Sequence, residues 1–143
     1  MATLATPFRT EEDWRDPSAV KVVVDSSGRA LYFSRSPIPF VRDGQPDLSS
    51  GRFLLHLGIY AYRREFLLRL AQMPPSPLER LEKLEQLRVL EAGYPIHVGL
   101  IDEPSMGVDT PQDYRAFVER YRNRDQASGV TRQARSMGNA SRE

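Results

Sequence analysis

A chain of 143 residues with 40% hydrophobic and 27% charged side chains is sized for one domain with a packed core and is too apolar for bulk disorder. Its formal net charge of +1 gives no electrostatic basis for nucleic-acid binding, which usually shows a basic excess on one face. The absence of cysteine excludes disulfides, thiolate nucleophiles and cysteine metal sites, and is compatible with a reducing compartment.

The opening MATLATPFRT lacks the basic start and sustained apolar run of a signal peptide. No apolar stretch approaches the ~20 residues of a membrane span, so a cytoplasmic protein without membrane attachment is expected. The β-branched run Val20 to Val24 ends at the turn cluster Asp25-Ser26-Ser27-Gly28. With Ala30-Leu31-Tyr32-Phe33 it predicts a hairpin. The prolines of Ser36-Pro37-Ile38-Pro39 exclude a helix or central strand there. Arg42 to Arg52, rich in Gly, Pro, Asp and Ser, predicts a mobile loop of the length that often serves as a lid.

Phe53 to Tyr62 is the strongest strand. Its odd positions, Phe53, Leu55, Leu57, Ile59 and Ala61, are uniformly apolar and are expected to face the core. A helix is expected from Arg63 to Gln72, stopped by Pro74-Pro75. The next starts at Ser76, with Pro77 in first position and Glu79 completing a capping box, and runs to Ala92 before Gly93. Ile96 to Ile101 predicts a strand, and Thr110-Pro111-Gln112-Asp113 starts a helix to Tyr121. From Asn123 large apolar residues almost vanish, predicting a disordered polar tail over 123–143. The order β-β-loop-β-α-α-β-α is an α/β pattern with too few strands for a complete doubly wound sheet.

Several side chains invite chemistry. On one helix spanning Pro77 to Ala92, Glu85 falls on the stripe of Leu78, Leu81 and Val89. A carboxylate there needs donors: either an arginine at the core edge, or a ligand's hydroxyl groups met by Glu85 and its neighbour Gln86. His56, Gly58 and Tyr60 share a strand face, and a glycine inside a strand often marks the close approach of a ligand. The alternative for His56 is a satisfied, half-buried histidine. Arg35 and Arg42 bracket the proline-rich segment and can clamp an anion, or are ordinary surface arginines. Asp109 precedes a helix start, where it either caps or ligates a hard cation such as Mg²⁺. No glycine-rich phosphate loop follows a strand, and no nucleophile elbow or zinc spacing occurs.

The segments MATLATP (1–7), DPSAVKVVVDSSGRALYFSRSPIPF (16–40), HLGIYAYRREFL (56–67), PPSPLERLEKLEQLRVLEAGYPIHV (74–98) and GVDTPQDY (107–114), in this order, resemble the carboxyl-terminal half of the CMP-Kdo synthetases, the 3-deoxy-manno-octulosonate cytidylyltransferases. The resemblance covers roughly residues 1–120. It implies part of a Rossmann-like nucleotide-diphospho-sugar transferase domain over 1–122 and a reaction of CTP with the acidic sugar Kdo, with Mg²⁺, giving CMP-Kdo and pyrophosphate for lipopolysaccharide synthesis. It further implies that Arg35, His56, Tyr60, Glu85 and Gln86 contact the sugar acid, that Asp109 is one of two metal-binding aspartates, and that the protein forms a homodimer.

The family's amino-terminal half carries a basic, glycine-containing nucleotide loop and a Gln-Gly-Asp segment with the other metal aspartate, and this sequence has neither. Met1 stands at what is an internal position in the family, and Leu55 where the family usually has arginine. Two readings follow: an enzyme of this family whose other half is not in this sequence, expected to be inactive alone, or a non-catalytic dimerising or sugar-acid-binding remnant.

Overall fold

The computed structural model describes residues 1–102, 111, 114, 115, 117–119 and 121. The chain divides into two compact units, Met1–Pro104 and Ser105–Glu143. The expected helix from Thr110, the 122/123 boundary and the expected tail fall largely or wholly outside the described residues. The first unit runs β1 (Ala2–Pro7), α1 (Glu11–Arg15), β2 (Lys21–Val24), β3 (Ala30–Ser34), a 3-10 turn (Leu48–Ser50), β4 (Leu54–Ala61), α2 (Arg64–Leu70), α3 (Pro77–Glu82), α4 (Gln86–Glu91) and β5 (His97–Leu100). The five strands form one mixed sheet in the order β3-β2-β4-β1-β5. Within it β1 pairs antiparallel with β4 and parallel with β5. The α/β class stands, but the expected element order omits β1 and α1.

The β2–β3 hairpin forms as expected. The Asp25 carboxylate accepts hydrogen bonds from the Ser27 N–H, the Ser27 hydroxyl and the Arg29 N–H, which closes the turn and holds Asp25 below the usual carboxylate pKa. The Arg42–Arg52 segment is largely exposed, with one inward contact at Leu48. Val41 and Leu48 pack on a cluster of Phe8, Trp14 and Phe53, and the Trp14 indole donates to the Ile38 carbonyl at 3.2 Å.

The face of β4 differs from expectation. Of the odd-numbered set Phe53 is buried and Leu55 and Leu57 are half-buried, Leu54 and His56 of the even-numbered set are buried as well, and Ile59 is 49% exposed. Two features explain this. Phe53 and Leu55 find their own partners in the Trp14 cluster. Beyond His56 the strand bulges: Thr3 pairs with Tyr60 and Ala5 with His56, so three residues of β4 lie opposite Leu4. Gly58 sits in that bulge with φ +68°, a conformation glycine adopts without steric cost.

The helix expected over Pro77–Ala92 is two helices. The capping box forms, with the Glu79 N–H donating to the Ser76 hydroxyl and the Ser76 N–H to the Glu79 carboxylate. Then Lys83, at φ 56° and ψ 45°, enters the left-handed region and redirects the chain. Leu81 on the predicted stripe is 79% exposed, whereas Leu84, Leu87 and Val89 are buried. Tertiary bonds favour the break. The Glu82 carboxylate accepts from the Ser34 hydroxyl at 2.6 Å and the Arg35 N–H at 2.9 Å, and the Glu82 carbonyl accepts from Arg35 Nε. A non-glycine residue in the left-handed region costs about 1–2 kcal/mol, partly offset by the extra unfolded-state entropy of glycine. Lys83→Gly is therefore expected to raise stability by about 0.5 kcal/mol, read as a higher urea midpoint with unchanged slope. A lower midpoint would show that contacts of the Lys83 side chain outweigh the strain.

Candidate functional site

A cavity of about 300 Å³ opens between the end of β4 and the α3–α4 turn, lined by Met1, Tyr60, Tyr62, Leu70, Lys83, Leu84, Glu85, Gln86, Arg88 and Val89. Three of the expected sugar contacts, Tyr60, Glu85 and Gln86, meet here. Glu85 is exposed rather than on a buried stripe, because the turn at Lys83 rotates it outward. Gln86 is 5% exposed, and among the described residues its amide has no hydrogen-bond partner, leaving donor and acceptor available to a ligand. Burial raises the pKa of the Tyr60 phenol, with the neighbouring Tyr62 and Glu85 adding to the shift, so Tyr60 is a neutral hydrogen-bonding group at physiological pH. Arg88 walls the cavity. Its Nε and one terminal nitrogen donate to the two Glu79 oxygens, and the other terminal nitrogen donates to the Met73 carbonyl.

His56 lies behind Tyr60, ring centroids 5.4 Å apart, with Phe33 edge-on at 4.9 Å. The Thr3 hydroxyl donates its single proton to the Ile59 carbonyl at 2.7 Å. It must therefore accept from His56 Nε2–H at 2.8 Å, which fixes the neutral tautomer and leaves Nδ1 as an acceptor. Burial lowers the His56 pKa to about 4. The folded state thus resists protonation that the unfolded chain accepts near 6.5. Stability contributed by neutral His56 is fully present above pH 6.5 and is lost as pH falls towards 4. The expected loss is about 3 kcal/mol. Urea midpoints between pH 7 and 4.5 measure it. A His56→Gln variant is expected to show a flatter profile, and an equally steep one would assign the loss elsewhere.

The other expected residues stand apart from the cavity lining. Arg35 is half-buried and structural in its contacts, donating to the Glu82 and Pro17 carbonyls. Arg42 is exposed. Asp109 lies outside the described residues. Among the described residues no group of three or more His, Cys, Asp or Glu side chains is placed to hold a metal ion. Sequence reasoning overlooked Lys21, which is fully buried and donates through Nζ to the Asp16 and Arg35 carbonyls at 2.6 and 2.8 Å. The signal was a cation inside an otherwise β-branched run. It also overlooked the Glu79–Arg88 pair, whose partners are too distant in sequence for local pairing rules. Leu55 is half-buried against the Trp14 cluster, an apolar environment that suits leucine.

Sheet and cavity define a recognisable class. The family model for cytidylyltransferases matches residues 1–99, and the chain belongs to that family. Among curated relatives, the 3-deoxy-manno-octulosonate cytidylyltransferase of Syntrophobacter fumaroxidans is 56% identical over 118 residues, covering 82% of this chain and 46% of that protein. The enzyme of the same name from Geobacter sulfurreducens is 51% identical over 127 residues, covering 84% and 51%. A solved structure of CMP:2-keto-3-deoxy-manno-octonic acid synthetase complexed with CTP superposes with a TM-score of 0.71 at 42% identity, covering 89% of this chain and 49% of that one. The chain spans about half the length of the curated relatives it matches.

Proposed function

We propose that this chain supplies the sugar-acid half of a 3-deoxy-manno-octulosonate cytidylyltransferase site. The observation that carries the reading is the single cavity shared by Tyr60, Glu85 and Gln86, in a chain whose relatives bear that name. In the reaction, the anomeric hydroxyl oxygen of Kdo bonds to the α-phosphorus of CTP. The bond from that phosphorus to the bridging oxygen of the leaving pyrophosphate breaks, and the hydroxyl proton passes to solvent. The role of this chain is to bind and orient the sugar: Glu85 accepts from hydroxyl groups, Gln86 both donates and accepts, and Tyr60 closes the wall backed by neutral His56. Positioning of this kind is a large part of catalysis when no covalent intermediate forms. The resemblance implies a sugar-side role for Arg35, and the loop position of Arg42 offers it as a second cation, although neither lines the cavity.

Mg²⁺ belongs to the same reading, with Asp109 as one ligand. The described residues do not by themselves fit the ion, and no step is assigned to it. A homodimer in the cytoplasm is part of the reading, and the exposed Ile59, Leu67 and Leu68 supply apolar area that a second copy can cover. No helix among the described residues is long and apolar enough to cross a membrane.

The test is isothermal titration of the 143-residue chain with Kdo. Binding is expected, weakened about tenfold by Glu85→Ala or Gln86→Ala, the loss of one or two ligand hydrogen bonds. No heat at millimolar Kdo rejects the reading. Formation of CMP-Kdo from CTP and Kdo by this chain alone is expected to be absent, and turnover would reject the division of the site into halves.

A further inference from the structure

We propose that the open edge of β4 over residues 57–61 is a docking site for a β-strand, supplied by the part of a cytidylyltransferase that this chain does not span. β4 is an interior strand of the sheet, flanked by β2 and β1, and its two edges are unequally used. Along one edge, β1 pairs with it from Leu54 to Ala61. Along the other, β2 pairs only with Leu54 and Leu55, and the bond from the His56 N–H to the Val20 carbonyl ends the contact. Among the described residues no strand pairs with 57–61 on that side. The outer edge of β5, by contrast, is closed within the chain. The Ala30 N–H donates to the Ile96 carbonyl, the Val98 N–H donates to the Gly28 carbonyl, and Arg29 bridges to His97.

The open stretch Leu57-Gly58-Ile59-Tyr60-Ala61 holds no charge and no proline, the residues with which proteins guard an exposed edge. It leaves roughly 17 Å of strand unpaired, the length of an ordinary strand. Gly58, Ile59 and Ala61 are exposed, yet the alternation of Leu57, Ile59 and Ala61 is that of a strand with one covered face. Backbone groups and apolar face thus both lack a neighbour at the same place. The occupant follows from length. The chain spans about half of the relatives it matches, so in those proteins a comparable length of chain adjoins this one, and a half-paired interior strand is where a sheet continues. Ile59 falls inside the extended sheet, which leaves Leu67 and Leu68 of α2 for a second copy. The inference stands on the edge and on family membership, not on the sugar-acid reading, and its test uses no Kdo.

The experiment expresses the full 143-residue chain, tagged, alone and together with the part of the Geobacter sulfurreducens enzyme outside the matched 127 residues. The two are expected to co-purify, and amide hydrogen exchange then reads the edge. In the chain alone, the amides of 57–61 that do not donate to β1 are expected to exchange fast, and in the complex about a hundredfold more slowly. Ile59→Lys sets a charge on the edge. It is expected to weaken the complex about tenfold on dilution and to leave the urea midpoint of the chain unchanged. Leu67→Lys, on α2, is expected to leave the complex unchanged. Absence of co-purification overturns the proposal, and so does a complex in which the 57–61 amides stay fast. Slow exchange of those amides in the chain alone overturns it as well, because the edge is then already covered, by a second copy or by the chain itself. Equal weakening by the two lysine variants assigns the contact to apolar surface in general and overturns the edge.

Discussion

Replacing Phe33 by alanine is expected to lower the unfolding free energy by about 4 kcal/mol, the usual cost of deleting a fully buried aromatic ring. Phe33 is 0% exposed and packs in the principal core with Val22, Leu54, Leu87 and Ile96. Its ring also meets the His56 imidazole edge-on, at 4.9 Å and an interplanar angle of 70°. The substitution therefore has a second readout. Loss of the ring opens space beside an imidazole whose pKa burial holds at about 4. Solvent entering that space is expected to move the titration of His56 upward, towards the ordinary value near 6.5. Urea denaturation measures the first effect and the histidine ring resonances the second. Phe33→Leu, which keeps most of the volume, is expected to cost about 1 kcal/mol. An alanine variant that loses less than about 1 kcal/mol with an unmoved His56 titration would contradict this packing.

Replacing Glu82 by alanine is expected to cost about 3 kcal/mol, because two donors lose a charged acceptor at once. One is the Ser34 hydroxyl at 2.6 Å, on a residue 3% exposed, and the other is the Arg35 N–H at 2.9 Å. Glu82→Gln retains one acceptor and turns an NH₂ group towards the other donor, so an intermediate loss is expected. Glu82 is outside the cavity lining, yet it fastens the end of α3 to β3 immediately before Lys83 and Glu85. Affinity for Kdo is therefore expected to fall with stability in the alanine variant. Unchanged stability would show that Ser34 and Arg35 find replacement partners, and unchanged affinity that the α3–α4 turn holds its shape without this clasp.

The sequence was legible where local chemistry sets local structure. The turn at Asp25, the capping box at Ser76 and Glu79, and the end of α4 before Gly93 follow from side chains acting within a few residues. The pairing of Glu85 with Gln86, and of His56 with Tyr60 across Gly58, was visible for the same reason. Long-range contacts hid the rest. Ala2–Pro7 is a short run of small and polar residues whose strand state comes from β4 and β5 on either side. LEKLEQLRVL reads as continuous helix, and nothing local marks Lys83 as left-handed. The break reflects Glu82 reaching back to Ser34 and Arg35. The face of β4 was legible only in part: Phe53 is buried as counting apolar residues implies, but in a separate cluster with Trp14 and Phe8, while the principal core takes Leu54.

The position of β1 in the sheet has a kinetic consequence. Its two neighbours, β4 and β5, come from the middle and the end of the first unit, so most of that unit must be synthesised before β1 has both partners. Contacts of such sequence separation slow folding. On the ribosome, the β2–β3 hairpin can form early while β1 waits with unpaired backbone edges, the kind of surface that recruits chaperones or leads to aggregation. Yield in the cell is therefore expected to depend on how soon β5 arrives.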